Sequence, residues 1–192
     1  MVTTTTTNQA QDDIQGSRWL KSYYFTRAAF SLIWVGAAAI LADSAPAAAA
    51  LLLIYPAWDA IANLVDAQRN GGLRSNPTQA FNVAVSLTTT AAVGVALTQS
   101  MNAVLGVFGV WAALSGLLQL ATGVRRRRGF GAQWPMVVSG VQSALAGGMF
   151  LVQANAPEAP HITALAPYVA FGAFYFLISA VWLTVSQRRR RA

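Results

Sequence analysis

The stretch APAAAALLLIYPAWDAIANLVDAQR, from Ala45 to Arg69, decides the fold class. Its apolar run is long enough to cross a bilayer, because about 20 residues at 1.5 Å each span a hydrocarbon core of roughly 30 Å. One carboxylate, Asp59, lies well inside this run. A carboxylate in hydrocarbon is costly unless it has a partner or a function. The stretch therefore predicts a membrane-spanning helix with one residue that needs an explanation.

The composition of the whole chain also indicates a membrane protein. Of 192 residues, 55% are hydrophobic and only 10% are charged, and the mean hydropathy of +0.46 lies outside the range of ordinary soluble domains. The net charge of +7 is confined to short runs between apolar segments, which is typical of membrane topology rather than of nucleic-acid binding. The chain has no cysteine and one histidine, and it contains no nucleotide-binding glycine fingerprint and no serine-nucleophile motif. We therefore expect no enzyme activity, catalytic residue, metal or cofactor.

Six apolar segments are long enough, or nearly long enough, to span a membrane. They lie at 24–42, 46–67, 79–98, 101–123, 134–154 and 163–186. Twelve of the 13 Lys and Arg residues precede the first segment or follow the second, fourth and sixth, and the thirteenth, Arg27, lies near the start of the first segment. The basic residues thus lie on one side, and the positive-inside rule places both termini in the cytoplasm. Residues 1–17 lack the basic start and apolar core of a signal peptide, and they predict a disordered cytoplasmic tail.

An internal repeat explains this alternation of charged and uncharged loops. An offset of 56 residues carries Phe25 onto Phe81 and Arg69 onto Arg125 without a gap, and a third frame reaches Arg189 with eight more residues in its outer loop. Each frame reads as two helices closed by a basic cytoplasmic end. The predicted fold class is therefore all-α and polytopic, with six transmembrane helices in three tandem helical hairpins. These hairpins cover about 24–69, 79–125 and 134–189 of a membrane domain at 18–191.

Several of these residues resemble the HdeD family, also called the short repeat domain of unknown function 308. The similarity lies in Arg27 with Gly36 nine positions on, in the aromatic-rich second helix with Asp59, and in WAALSGLLQLATGVRRRR from Trp111 to Arg128. The resemblance implies a six-span protein of the bacterial inner membrane. It also implies a link to acid resistance, for which the family is named, without an established molecular activity.

Asp59 has a candidate partner in the first span. If the first hairpin turns near Asp43, Arg27 falls opposite roughly residue 62, about one helical turn of 5.4 Å from Asp59. We predict that Arg27 and Asp59 form an intramembrane charge pair that holds the first two helices together. The alternative is that they form a proton or ion site.

Polar and small residues inside the other spans give two further predictions. The first concerns a polar seam formed by amide side chains from four helices, and separate interhelical hydrogen bonds are its alternative. These amides are Asn63, Asn82, Gln119 and Gln142. The second concerns a helix-packing face in span five, either inside the bundle or between copies of the chain in a homo-oligomer. This face comprises Ser139, Gly140, Ser143, Gly147 and Gly148.

Charged residues outside the spans suggest two more sites. Two arginine clusters either set the topology or also bind anionic lipid headgroups. They consist of Arg125, Arg126, Arg127 and Arg128, and of Arg188, Arg189, Arg190 and Arg191. In the third outer loop, Glu158 and His161 form either a pH-sensing site or an ordinary exposed loop, since histidine titrates near pH 6.5 when unperturbed.

Three functions remain open at the level of the sequence. The first is a non-enzymatic inner-membrane protein that contributes to acid or envelope stress tolerance. The second is a small transporter or channel that moves protons, ions or small solutes past Asp59. The third is a subunit that organises lipids or binds a partner through its basic cytoplasmic face. In each case the lipid bilayer is the expected partner and nucleic acid is not.

Overall fold

The computed structural model describes the backbone of residues 3–126 and 134–189 and the side chains of residues 18–120 and 137–186. Six α-helices follow one another within these residues. They are α1 (Thr3–Ile40), α2 (Ala45–Arg69), α3 (Pro77–Leu97), α4 (Met101–Arg126), α5 (Trp134–Gln153) and α6 (Ala166–Arg189). Short 3₁₀ turns at Leu73–Ser75 and Ile162–Leu165 precede α3 and α6. The prediction of an all-α fold with six helices is confirmed.

Within the described residues, five helices are long and apolar enough to cross a membrane. These spans are Arg18–Ile40, Ala45–Arg69, Pro77–Leu97, Met101–Leu120 and Ile162–Ser186. The apolar part of α5 among the described residues is shorter, at Val137–Gln153. Length and composition therefore show a polytopic membrane protein, as the sequence predicts.

The N-terminal residues differ from the sequence-based expectation. The backbone is helical from Thr3 onward, whereas the sequence predicts a disordered tail over 1–17. Extending an existing helix costs far less than starting one, because each added residue then gains a hydrogen bond. The first span supplies such a starting helix, and it continues toward the N-terminus through a segment without proline.

The chain divides into two compact units, one comprising residues 1–33 and 169–192 and the other residues 34–168. The larger unit contains the end of α1, all of α2 to α5 and the first residues of α6. Its core is built from fully buried side chains such as Trp34, Leu52, Val93 and Phe108. In the smaller unit, Tyr24 stacks on Phe176 with ring centroids 6.1 Å apart.

The turn between α2 and α3 depends on two glycines and an aspartate. Gly71 and Gly72 have φ of 93° and 88°, a region that residues with a Cβ rarely enter. Asp66 accepts hydrogen bonds from Asn70 Nδ2 at 3.1 Å and from Gln79 Nε2 at 3.1 Å. These bonds fix the end of α2 to the start of α3, so the two helices leave the turn in contact.

The most extensive helix contacts of the larger unit join α4 to α5 and α2 to α3. Both contacts cross a boundary between the predicted hairpins at 24–69, 79–125 and 134–189. The extent of each hairpin stays a prediction, while the structure shows that consecutive hairpins are tied together by direct packing.

Candidate functional site

Asp59 lies at the centre of a hydrogen-bonded cluster made by α2, α3 and α4. Asn63, one turn further along α2, donates from Nδ2 to Asp59 Oδ2 at 3.0 Å and to the Asp59 carbonyl oxygen at 2.8 Å. Ser86 of α3 donates from Oγ to the same carboxylate oxygen at 2.8 Å. Trp111 of α4 donates from Nε1 to Ser86 Oγ at 3.2 Å. The Asp59 cluster is therefore defined by Asp59, Asn63, Ser86 and Trp111.

The bonds between side chains of the Asp59 cluster all run in one direction, toward the carboxylate. The indole N–H of Trp111 donates to Ser86 Oγ. The serine hydroxyl accepts this bond and donates its own hydrogen to Asp59 Oδ2. Hydrogen bonds in such a chain polarise and strengthen one another in surroundings of low dielectric constant. Ser86 is 1% exposed and Trp111 is 5% exposed, so the chain is shielded where it crosses from α4 to α3. This arrangement fixes the carboxylate in one rotamer.

An aromatic cluster holds Trp111 in position. Its ring meets Tyr55 edge to face with centroids 5.8 Å apart, and it meets Phe108 in the same way at 5.8 Å. Tyr55 in turn packs on Trp34 at 5.2 Å, and Trp34 donates from Nε1 to the carbonyl oxygen of Leu51 at 2.8 Å. Edge-to-face contacts of this kind add stability beyond the apolar area that they bury. These ring contacts restrict rotation of the indole that donates to Ser86.

Arg27 lies in an aromatic environment of its own within the smaller unit. Its Nη1 donates to the Tyr23 hydroxyl at 3.0 Å, and its guanidinium carbon lies 4.4 Å from the centre of the Phe176 ring. A guanidinium over an aromatic face gains a cation–π attraction. The charge pair between Arg27 and Asp59 stays a prediction, since each of these contacts lies inside one unit.

Among the amides of the predicted polar seam, Asn63 donates to Asp59, which is not a member of that seam. Asn82 of α3, Gln119 of α4 and Gln142 of α5 are each half-buried. The seam as a continuous feature stays a prediction.

The predicted packing face of α5 meets α4 through its backbone. A methyl group added at Gly147 would lie 2.6 Å from the carbonyl oxygen of Gly109, and one at Gly140 would lie 2.8 Å from that of Gly116. Ser143, between the two glycines, donates from Oγ to the carbonyl oxygen of Ala112 at 3.0 Å. The glycine contact is therefore defined by Gly109 and Gly116 of α4 and by Gly140 and Gly147 of α5.

Two other members of that face are placed differently. Gly148 has open space around it, because a methyl group there would meet no atom within 4 Å. Ser139 is half-buried. One glycine of the adjacent pair thus packs inside the bundle, while the other lies on its surface.

The outer loops bring His161 close to Asp43. The distance from His161 Nε2 to Asp43 Oδ1 is 3.8 Å, and their side chains are 56% and 104% exposed. Glu158 is exposed in the same loop. A pH-sensing role for Glu158 and His161 stays a prediction.

The arginine clusters at 125–128 and 188–191 lie outside the described side chains, so their contact with lipid headgroups also stays a prediction. Within the described part of the chain, no three His, Cys, Asp or Glu side chains converge as metal ligands.

Sequence reasoning gave no role to Trp111 or to the glycines of α4, although signals for both were present. The 56-residue offset places Trp111 at the position that Tyr55 occupies in the first frame, and the two rings touch. Gly109 and Gly116 are seven residues apart, as are Gly140 and Gly147. Matching spacings of small residues on two consecutive membrane helices indicate a close contact between them.

Comparison with known proteins agrees with the family resemblance. Residues 84–152 match the model of a family described as a short repeat of unknown function, DUF308. No curated protein and no solved structure shows significant similarity to the chain. The matched range includes Ser86 and Trp111 of the Asp59 cluster and all four residues of the glycine contact. The predicted similarity to the DUF308 repeat is confirmed over this range, which runs from α3 to α5.

Proposed function

We propose that this membrane protein is a non-enzymatic, multi-pass component of the bacterial inner membrane that contributes to acid or envelope stress tolerance, as the HdeD resemblance implies. Both termini lie in the cytoplasm, in agreement with the basic loops. The protein needs no cofactor, and its main partner is the bilayer. Its contribution is mechanical: it keeps a tightly joined helix bundle in a membrane under stress.

The Asp59 cluster is the observation that carries this proposal. One carboxylate oxygen accepts hydrogen bonds from Asn63 and Ser86, and the Ser86 oxygen accepts one from Trp111. Three helices therefore share a single acidic group. Hydrogen bonds between membrane helices contribute about 0.6 to 2 kcal/mol each. A carboxylate engaged in this way serves helix association and requires no substrate.

A transporter or channel for protons, ions or small solutes is the second candidate. Its support is that Asp59 is half-buried rather than fully enclosed, and that carboxylates inside membranes commonly mark proton and ion paths. In this case the bonds from Asn63 and Ser86 position a group that titrates or binds an ion during transport.

The substitution Asp59→Asn separates the two candidates. The variant is expressed in a bacterial strain from which the endogenous proteins of this family are deleted. Survival after acid shock, the amount of folded protein in the membrane, and proton flux into vesicles carrying a pH-sensitive dye are then measured. A structural role predicts that survival falls in proportion to the amount of folded protein, because the amide is a weaker acceptor for Ser86 and Asn63.

Asp43→Asn is the matched control, because Asp43 is fully exposed and lies outside the spans. It should behave as the wild type. A variant at Asp59 that accumulates normally but loses a proton flux seen in the wild type would favour the transporter. Equal survival of the strain with and without the wild-type protein would show that the proposed stress role is wrong.

A further inference from the structure

A groove of about 360 Å³ opens between α3 and α4, next to the Asp59 cluster. Its floor is formed by Thr89 and Trp111, which are 6% and 5% exposed, and its rim includes Val110 and Leu114, which are 50% and 43% exposed. Its lining comes from residues 84–92 of α3 and 107–114 of α4. Its volume lies within the roughly 300 to 1,000 Å³ of typical ligand pockets.

The hydroxyl of Thr89 distinguishes this groove from an ordinary gap between membrane helices. The next residue, Thr90, donates from Oγ1 to the carbonyl oxygen of Ser86 at 2.8 Å, as threonine commonly does inside a helix. Within the described part of the chain, Thr89 makes no such bond, although its side chain is more than nine-tenths buried. Among the described side chains, the Thr89 hydroxyl is not one of the enclosed polar atoms that lack a partner, so it is accessible from the groove that it lines. Thr89 thus offers a donor to whatever occupies the groove, and the exposed Thr88 at its rim offers a second one.

We propose that this groove binds a lipophilic molecule that carries a carbonyl group. Both of its helices are long and apolar enough to span a membrane, so molecules dissolved in the hydrocarbon core have direct access to it. The apolar lining fits a hydrocarbon chain or ring, and the carbonyl oxygen accepts a hydrogen bond from Thr89. Mostly apolar walls with a few placed polar groups are the usual composition of a ligand site.

Trp111 connects the groove to the Asp59 cluster. Its N–H is already bonded to Ser86 Oγ, so the groove receives the apolar surface of the indole rather than its donor. An occupant that packs on the ring restricts the indole and thereby the chain from Trp111 through Ser86 to Asp59. The groove thus gives a membrane-dissolved molecule a route to influence the central carboxylate. This ligand site does not depend on the proposed stress role.

Photolabelling of the full chain in phosphatidylcholine nanodiscs tests the site. The probe is a long-chain alkyl ketone with a diazirine on its chain, competed with an excess of the same ketone without diazirine. A matched probe has the same chain but no carbonyl. We expect saturable ketone labelling that mass spectrometry locates at 84–92 and 107–114, and weaker labelling by the hydrocarbon probe.

Two substitutions and one control variant test the groove itself. Thr89→Val keeps the side-chain shape and removes the donor, so the apparent Kd for the ketone should rise about three- to tenfold, or about 0.7 to 1.4 kcal/mol, while labelling by the hydrocarbon probe stays unchanged. Ala92→Phe fills the groove and should reduce labelling by both probes about fivefold or more. Ala91→Phe is the control for Ala92→Phe, because Ala91 is exposed on the same helix and does not line the groove; it should label as the wild type does.

Three results would overturn the proposal. One is non-saturable labelling spread over all exposed helix faces, which indicates simple partitioning into the bilayer. Another is equal ketone affinity of Thr89→Val and the wild type. The third is a disulfide-linked dimer of Thr88→Cys in place of saturable labelling, which shows that a helix of a second copy fills the groove. The chain has no native cysteine, so that dimer is easily identified. If Ala92→Phe fails to fold, the shape-preserving Thr89→Val still decides the question.

Discussion

α5 meets α4 through backbone atoms, whereas polar side chains join α2 to α3 and, through Ser86 of α3, to α4. At the glycine contact, Gly147 and Gly109 leave no room for even a methyl group. At the Asp59 cluster, the helices are bridged by Asp59, Ser86 and Trp111. The two regions are neighbours, since α4 contributes to both.

The difference between the two contacts follows from the surroundings of a membrane helix. Lipid tails are as apolar as leucine, so apolar burial alone does not hold such helices together. Close packing of backbones is one solution, and it tolerates no added volume. Shared hydrogen bonds are the other, and they tolerate small changes of volume but not the loss of a donor or acceptor. The two contacts should therefore respond to opposite kinds of substitution.

The largest effect is expected for Gly147→Ala. The new methyl group would lie 2.5 Å from the backbone nitrogen of Ala113 and 2.6 Å from the carbonyl oxygen of Gly109, so α4 and α5 must move apart. Overpacking in a dense core costs typically 1–3 kcal/mol, and backbone atoms cannot swing aside as a side chain can. We expect a loss of about 3 kcal/mol or more, or failure to fold, measured by thermal unfolding of the purified protein in detergent.

Gly148→Ala is the matched control for this substitution. It adds the same methyl group to the next residue of the same helix, where no atom lies within 4 Å. Replacing glycine by alanine within a helix is otherwise favourable by roughly 0.5–1 kcal/mol. Gly148→Ala should therefore leave the Tm unchanged or raise it. Equal destabilisation by both substitutions would contradict the close approach of α4 to α5.

An intermediate effect is expected for Ser86→Ala, which barely changes volume but removes a donor and an acceptor together. Asp59 Oδ2 loses one of its bonds, and the Trp111 N–H is left without its acceptor. We expect a loss of about 1–2 kcal/mol, seen as a Tm lowered by about 2 to 8 °C. The near-ultraviolet circular dichroism of tryptophan should weaken as well, because the indole is no longer fixed.

Thr90→Val is the control for Ser86→Ala. Thr90 lies one turn further along α3, and its hydroxyl bonds only to a carbonyl oxygen of its own helix. Its loss should change neither the Tm nor the tryptophan signal appreciably. A neutral Ser86→Ala would mean that the Asp59 cluster does not hold the helices together.

The sequence predicted the fold class well, because membrane spans depend on composition over about 20 residues. It also singled out Asp59, since a carboxylate in an apolar run is conspicuous. It did not select the partner on α3, where Ser86, Thr88, Thr89 and Thr90 are equivalent as hydroxyls. Which of these faces α2 depends on the rotation of α3 about its axis, and apolar residues on all sides of a membrane helix leave that rotation undetermined.

The sequence indicated that α5 carries a packing face, but it did not identify α4 as the helix that this face contacts. Small residues at helical spacing indicated a contact face, and two of the glycines concerned, Gly147 and Gly148, are adjacent in the chain. Adjacent residues on a helix point about 100° apart, so they cannot face the same neighbour. The spacing of seven from Gly140 to Gly147, matched by Gly109 and Gly116 on α4, would have selected the correct glycine.

The smallest effect is expected where neither kind of contact operates, between His161 and Asp43 of the outer loops. Their side chains approach to 3.8 Å but are 56% and 104% exposed, and exposed pairs of this kind commonly contribute nothing measurable. His161→Ala should shift the Tm by less than about 1 °C, with Thr163→Ala, exposed in the following 3₁₀ turn, as its control. A drop of several degrees confined to His161→Ala would show that the loops are joined as firmly as the helices. The outer loops would then form a third stabilising region. The glycine contact and the Asp59 cluster would no longer account for all the contacts that hold the helices together.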